Sequence, residues 1–381
     1  FWTALLQRPP CPKLLARAGR PFSAKPHRFP AQPGREWNPL MSPLPARVRM
    51  ETKRFMKMQD VARAAHVGVG TVSRVLNNTG YVSEETRRKV EKAIEELHYT
   101  PNELARNIYH KKTQTIAVIV PEISNPFYAG VVDTMEKRLR WKGYRVLLCN
   151  TIDEQTNEAL YLQMLQRNMV DGVLTMTHTL DNSLYASLKG PVVSIDTPQF
   201  SEEIPVVSAD HAQGGCAAAE LLLNSGCKHI FQFCDNIDEA FPYFARHDEF
   251  AKTVEAAGVS CGRYFAKWNQ FSVQYFLSEA NQFFDEHPEA DGIFGTDMWA
   301  AACLRVAQER GLHVPEDLKI VSYDGTYLAK LSYPRLTVIQ QPVEQIVETS
   351  VDLLVRRIEG EKFQNLRINV PIQVIRGATT L

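Results

Sequence analysis

A chain of 381 residues exceeds one ordinary domain, so its length predicts two or three. With 44% hydrophobic and 23% charged residues it has the balance of a soluble globular protein, and no apolar run is long enough to span a bilayer. Seven scattered cysteines without a CxxC pair argue against a disulfide framework or a zinc site and fit a reducing cytoplasm. The formal net charge is zero, yet the first 112 residues hold 21 basic against 9 acidic residues, which leaves a net −12 on the rest. A basic front on an acidic body is the electrostatic footprint of nucleic-acid binding, although a basic tail alone inflates the same sum.

Residues 1–55 are rich in Pro and Arg and show no apolar periodicity, so they are expected to be disordered. Three readings stand for this stretch: a targeting segment, a DNA-scanning tail, or upstream sequence ahead of a true start at Met50 or Met56. No function is assigned to it.

From Met58 to Ala65 the apolar residues Met58, Val61, Ala62 and Ala65 follow a helical spacing. His66-Val67-Gly68 interrupts it, and glycine there permits a tight turn. A second helix follows from Gly70 to Asn77, with Val72, Val75 and Leu76 on one face and Thr71, Ser73, Arg74 and Asn77 on the other. Hydroxyl, amide and guanidinium groups on a short helix suit the donor and acceptor edges of a DNA major groove. The competing reading is a small helical hairpin with a polar solvent face. Ser83 is placed to cap a third helix, with Glu84 and Glu85 in its positive first turn and Val90, Ala93, Ile94 and Leu97 closing a three-helix core. Pro101 ends that helix, because the residue before proline is driven out of the helical region. The headpiece so defined runs over residues 56–101, with a linker over 102–112.

After Thr113 short apolar runs alternate with amphipathic stretches: Thr115–Val120, Tyr144–Cys149, Asp171–Met176, Val192–Ile195, His229–Phe233, Asp291–Gly295 and Lys319–Tyr323. Helical patterns such as 128–141 and 300–311 lie between them. This is the rhythm of doubly wound parallel sheets, which hold ligands at the carboxyl ends of strands, and the strand count predicts two sheets with a cleft between two lobes. Positions that follow strands are therefore the candidate ligand contacts. Phe127 and Tyr128 follow the first strand as aromatic platforms for sugar rings, and Trp268 is a third. Asp196, Asp297 and Asp324 follow strands too, and an ionised carboxylate accepts paired hydrogen bonds from neighbouring hydroxyls. For Asp297 the plain alternative is a helix N-cap. Arg246 opens a helical stretch, where its guanidinium donates to hydroxyl, carboxylate or phosphate. Trp299 either narrows the cleft or packs beneath it.

Several motifs resemble the LacI/GalR repressor family in family order: Asp60-Val-Ala, Thr71-Val-Ser-Arg-Val-Leu-Asn77, Val82-Ser-Glu-Glu-Thr-Arg87 and Leu97-His-Tyr-Thr-Pro-Asn-Glu-Leu-Ala105. The resemblance runs from Lys57 to the C-terminus. It implies an all-α helix-turn-helix headpiece joined to an α/β two-lobed sensor of the periplasmic-binding-protein type, with one lobe at about 113–210 and 341–367 and the other at about 211–340 and 368–381. It implies DNA contacts at Val69, Gly70, Thr71, Ser73, Arg74, Asn77 and Asn102, and a hinge over 102–110 that wedges Ile108 into the minor groove. It also implies ligand contacts at Phe127, Tyr128, Asp196, Arg246, Trp268, Asp297 and Asp324, with Gln341 close behind. One departure concerns base reading: the family usually has Ser at Gly68 and a larger side chain at Gly70, so readout falls on Val69, Thr71, Ser73 and Arg74. Another is at Ala240 and Pro242, which lack polar groups used by purine-binding relatives; a sugar is thereby favoured.

The function expected from these features is a cytoplasmic repressor of a carbohydrate-utilisation operon. Its expected partners are pseudo-palindromic operator DNA and a sugar or sugar-phosphate effector, with no membrane contact. Stretches 206–211, 318–326 and 333–342 resemble the sucrose-operon branch and point to a sucrose- or fructose-related effector. A short recognition helix reads few base pairs, and no heptad tail follows the last strand, so a homodimer is expected. A sugar-binding transporter component is the second reading, but it leaves the helix-turn-helix unexplained. An enzyme is the third, and the sequence offers no nucleophile elbow, P-loop, GxGxxG or metal-ligand pair. His178, His211 and His247 are isolated and read as structural. No catalytic residue, metal site or cofactor is expected.

Overall fold

The computed structural model describes residues 56–100, 112–151, 155–177, 183–186, 188, 190–235, 241–267 and 270–381. The expectations for residues 1–55, Asn102, Ile108, His178 and Trp268 lie outside the described residues. The chain divides into two compact units between Thr100 and Pro101.

In the first unit, α1 (Met58–Ala64), α2 (Val69–Asn77) and α3 (Glu84–Glu96) bury Val61, Val72 and Val90 completely, with Ala62, Ala65, Ala93 and Tyr99 around them. Burying such a side chain stabilises the fold by about 1.5–3 kcal/mol, so a few well-spaced valines hold the helices together. Ser83 caps α3 as its sequence position predicts, accepting from the Thr86 amide at 3.4 Å. The chain leaves α1 through His66 at φ 53° and enters α2 at Gly68, whose missing side chain leaves the N-cap without a side-chain acceptor.

The second unit holds two six-stranded sheets. The first contains β1 (Thr115–Val120), β2 (Arg145–Asn150), β3 (Gly172–Thr175), β4 (Val192–Ile195), β5 (Val206–Ala209) and β11 (Arg367–Val370), in the order β11-β5-β4-β3-β1-β2 and parallel throughout. Both faces are covered, as parallel sheets require. Ile116, Val118, Leu174, Val193 and Val207 pack under α4 (Pro126–Trp141) and α12 (Val343–Ile358), while Ala117, Ile119, Val173 and Val192 pack under α5 (Gln155–Gln166). A short α6 (Ser183–Ala186) precedes β4.

The second sheet has the order β12-β10-β9-β8-β6-β7, formed by β6 (His229–Asp235), β7 (Ser260–Ala266), β8 (Gly292–Thr296), β9 (Lys319–Asp324), β10 (Thr337–Gln340) and the antiparallel edge strand β12 (Gln373–Ile375). Ile230, Phe294, Val321 and Ile339 face α7 (His211–Asn224) and α8 (Ala245–Ala256). Phe233, Ile293, Ile320 and Val338 face α9 (Val273–Glu286) and α10 (Asp297–Glu309), and α11 (Tyr327–Leu331) follows β9.

The chain crosses between lobes three times: at Asp210–His211, at Gln340–Gln341, and after Val370. The last crossing corrects the expected lobe boundary at 368. The strand Arg367–Val370 pairs with Val206–Ala209 and so belongs wholly to the first sheet.

Candidate ligand cavity and nucleic-acid interface

The carboxyl ends of the two sheets face one another across a cavity of about 100 Å³. The first lobe contributes Asn125, Phe127 and Tyr128 after β1, Met176 after β3 and Asp196 after β4. The second contributes Asp235 at the end of β6, Arg246 from α8, Thr296 and Trp299 at the start of α10, and Asp324 at the end of β9. Asn125 opens α4 as N-cap, accepting from the Phe127 amide at 2.9 Å, which fixes the two aromatics at the cavity wall. Their rings meet edge to face at 5.5 Å, and Tyr128 meets Phe271 of the opposite lobe at 6.5 Å.

Asp196 has φ 52° and Asp324 has φ 109°, both in the region that disfavours L-residues. Two strained carboxylates at strand ends, one from each lobe, are the pattern in which backbone strain marks a working site. Asp196 is held by His211 (2.9 Å from Nε2), and the other ring nitrogen of His211 lies 2.8 Å from the Tyr323 hydroxyl. Asp324 accepts from Gln341 Nε2 at 2.9 Å, and Gln341 Oε1 is buried without a hydrogen-bond partner among the described residues. Burial, reinforced by the nearby Asp297 carboxylate, pushes the Asp324 carboxyl up to about 7. Burial also raises Asp235, against the pull of Arg246.

Arg246 is 7% exposed. Its guanidinium carbon lies 4.6 Å from the centre of the Tyr323 ring and 5.3 Å from that of Tyr243, two cation–π contacts. Its Nε donates to His247 Nε2 at 3.3 Å, while His247 Nδ1 donates to Gln232 Oε1 at 2.9 Å. This pattern needs a neutral imidazole, and burial with the adjacent Arg246 charge holds His247 well below the usual histidine range. Arg246 lines the cavity, and with its Nε engaged the terminal N–H groups are its remaining donors.

Of the ligand contacts expected from sequence, the cavity brings together Phe127, Tyr128, Asp196, Arg246, Asp324 and Gln341. Asp297 is corrected. It is buried at the first turn of α10, one layer behind the wall, and accepts from the Thr326 amide at 2.6 Å, which fixes the turn after Asp324. Trp299 lines the cavity and also packs beneath it, stacked on Phe233 at 4.8 Å. Sequence reasoning missed Asn125, Asp235 and His211 as cavity residues. Asp235 carries the same signal as Asp196 and Asp324, an acid at the end of an apolar strand. His211 carries none, since its role depends on a contact 112 residues away.

In the headpiece, Val69, Gly70 and Arg74 are exposed on α2, and Thr71, Ser73 and Asn77 are half-buried. Val69, Gly70, Ser73, Arg74 and Asn77 recur at helical spacing and present one outer face. Asn77 donates to Ser73 Oγ at 3.2 Å, which orients both polar groups. A Cβ added at Gly68 or Gly70 would meet nothing within 4 Å, so both glycines leave open space on that face.

Residues 57–102 match bacterial regulatory proteins of the lacI family, and residues 219–380 match a periplasmic binding protein-like domain. The chain is 37% identical over 325 residues to a sucrose operon repressor of Pediococcus pentosaceus, covering 85% of this chain and 99% of the relative. It is 35% identical over 328 residues to a ribose operon repressor of Halalkalibacterium halodurans, covering 85% and 96%. Its fold is similar to that of the lac repressor dimer bound to operator and the anti-inducer ONPF, with a TM-score of 0.75 at 23% identity over 86% of this chain and 99% of that one. Identity above one-third along nearly the whole length of these repressors, with a headpiece and a two-lobed body in the same order, shows that the chain belongs to the lacI family of bacterial regulatory proteins.

Proposed function

We propose that the protein is a homodimeric, cytoplasmic, DNA-binding repressor of a carbohydrate-utilisation operon, with operator affinity set by a small sugar held between the lobes. The observation that carries this reading is one chain joining a three-helix headpiece to a cavity whose wall alternates aromatic faces with Asp196, Asp324 and Arg246. Val69, Gly70, Thr71, Ser73, Arg74 and Asn77 form the face that meets DNA, with base reading falling on Val69, Thr71, Ser73 and Arg74. Asn102 and Ile108 take the hinge role that the family pattern gives them. The relatives named as sucrose and ribose operon repressors support a sugar effector. The cavity binds and does no chemistry.

The mechanism is a two-state shift. A ligand moves the equilibrium only if it binds one state more tightly than the other, so closure of the lobes around a sugar must change the order of the hinge. The test is operator affinity at fixed salt, measured with and without a panel of sugars. One or more sugars shift it, and the direction of the shift separates an inducer from a corepressor. A flat response to every sugar overturns the sensing half of the reading. Arg246→Ala is expected to abolish the response and leave operator binding by the empty protein intact.

A further inference from the structure

Resting on that sugar-sensing reading, we infer that the effector is an uncharged sugar and that the phosphate ester of the same sugar is excluded by the cavity. Two features of the wall carry this, and a third is compatible with it.

The first is charge. Asp196, Asp235 and Asp324 enter from both lobes, whereas Arg246 is the buried cation among the described lining residues and Lys267 stands exposed at the rim. Carboxylates accept hydrogen bonds from sugar hydroxyls but repel a phosphate, and the repulsion grows as the closing lobes expel water. A single guanidinium set among carboxyl groups from both lobes is a weak counter-charge for a phosphate dianion.

The second is the state of the helix ends. Phosphate sites are commonly made by free backbone N–H groups at a positive helix N-terminus. Here two of those ends, in α4 and α7, are already occupied by side chains. In α4, Pro126 has no N–H to offer and Asn125 takes the Phe127 amide. In α7, Asp210 takes the Gln213 amide at 3.0 Å. In α10, Asp297 lies in the first turn and adds negative charge where a phosphate would need the opposite.

The third is the geometry of Arg246. The Tyr323 and Tyr243 rings lie beside its guanidinium and its Nε is spent on His247, which leaves the terminal N–H groups as its remaining donors. Such donors serve hydroxyl oxygens and phosphate alike, so selection against the ester lies with the carboxyl groups, while Phe127 and Trp299 offer apolar surface to the ring carbons.

The test is calorimetric titration of the full chain with D-ribose, D-fructose and sucrose, each beside ribose 5-phosphate, fructose 6-phosphate and sucrose 6-phosphate. One of the neutral sugars is expected to bind, with its ester weaker by about tenfold or more. Asp235→Asn is expected to narrow that gap by admitting the ester, and a melting curve of the variant checks that it folds. Lys267→Ala is expected to leave the gap unchanged. An ester that binds as well as its parent sugar, or ester binding that collapses in Lys267→Ala, overturns the inference while the sensor reading stands. Silence across all six ligands overturns the sugar-sensing reading, and the inference falls with it.

Discussion

His211 Nε2 lies 2.9 Å from a carboxylate oxygen of Asp196, so the first residue of the second lobe's opening helix holds an acid of the first lobe. Asp196 can only accept, which places the imidazole proton on Nε2 in the neutral ring and leaves Nδ1 to accept from the Tyr323 hydroxyl at 2.8 Å. Tyr323 in turn lies beneath Arg246. Ligand contacts from both lobes are thereby connected through one histidine at a crossover.

His211→Ala is expected to weaken sugar binding by about tenfold or more and to destabilise the sensor by about 1–3 kcal/mol, since it strips a buried hydroxyl and a part-buried carboxylate of their partner. Operator binding by the empty protein should persist. Calorimetry for the sugar and denaturant unfolding for stability read the two effects. Unchanged sugar affinity would show that the Asp196–His211 contact is structural alone.

Effector binding should release a proton near neutrality. The Asp324 carboxyl is raised to about 7 by burial and by Asp297, so the empty site holds a proton that the unfolded chain gives up near pH 4. The stability this proton confers is full below the unfolded value and is lost as pH rises through about 7. Hydroxyl donors favour the ionised form, so affinity should rise between about pH 5 and about pH 8, with proton release visible as buffer-dependent heat. Asp324→Asn should remove that release.

His247 works with the opposite sign. Its folded value is depressed, so its contribution is present above the ordinary histidine range and is lost as pH falls from about 6.5. His247→Gln should flatten the acid limb of a stability–pH curve, and a curve unchanged in that variant would assign the limb to other groups.

Gly215→Ala should be strongly destabilising. A Cβ there would lie 2.0 Å from the Arg246 carbonyl oxygen, where α7 and α8 cross backbone to backbone. Overpacking of this kind costs about 1–3 kcal/mol, and at this distance the helices must separate, displacing Arg246. Loss of sugar response together with a lower melting temperature is the expected result, and a variant of normal stability and response would refute the close crossing.

Gly70→Ala should stabilise the headpiece by about 1 kcal/mol, because Gly70 is exposed, helical and free of neighbours within 4 Å of an added Cβ. Hydrogen exchange of α2 amides in the full chain is expected to slow by about fivefold. If Gly70 faces the groove, operator preference should change in the same variant, whereas a headpiece melted by the substitution would contradict the open space around it.

Periodicity and punctuation were enough for much of this molecule. The valines at helical spacing, Ser83 before two glutamates, and apolar runs from Thr115 to Tyr323 are local signals, and local sterics and burial decide helix ends and strand faces wherever neighbours are close in sequence. The acids after strands were legible for the same reason, because a parallel sheet puts the residue that leaves a strand at the ligand edge. Tertiary structure alone decided three things. It set Asp297 behind the wall, since whether an acid after a strand faces the cleft depends on the turn packed against it. It gave residues 367–370 to the first sheet, because strand partners are chosen by a hydrogen-bond ladder across more than 150 residues. It made His211 a cavity residue, by bringing together Asp196 and Tyr323 from strands in opposite lobes.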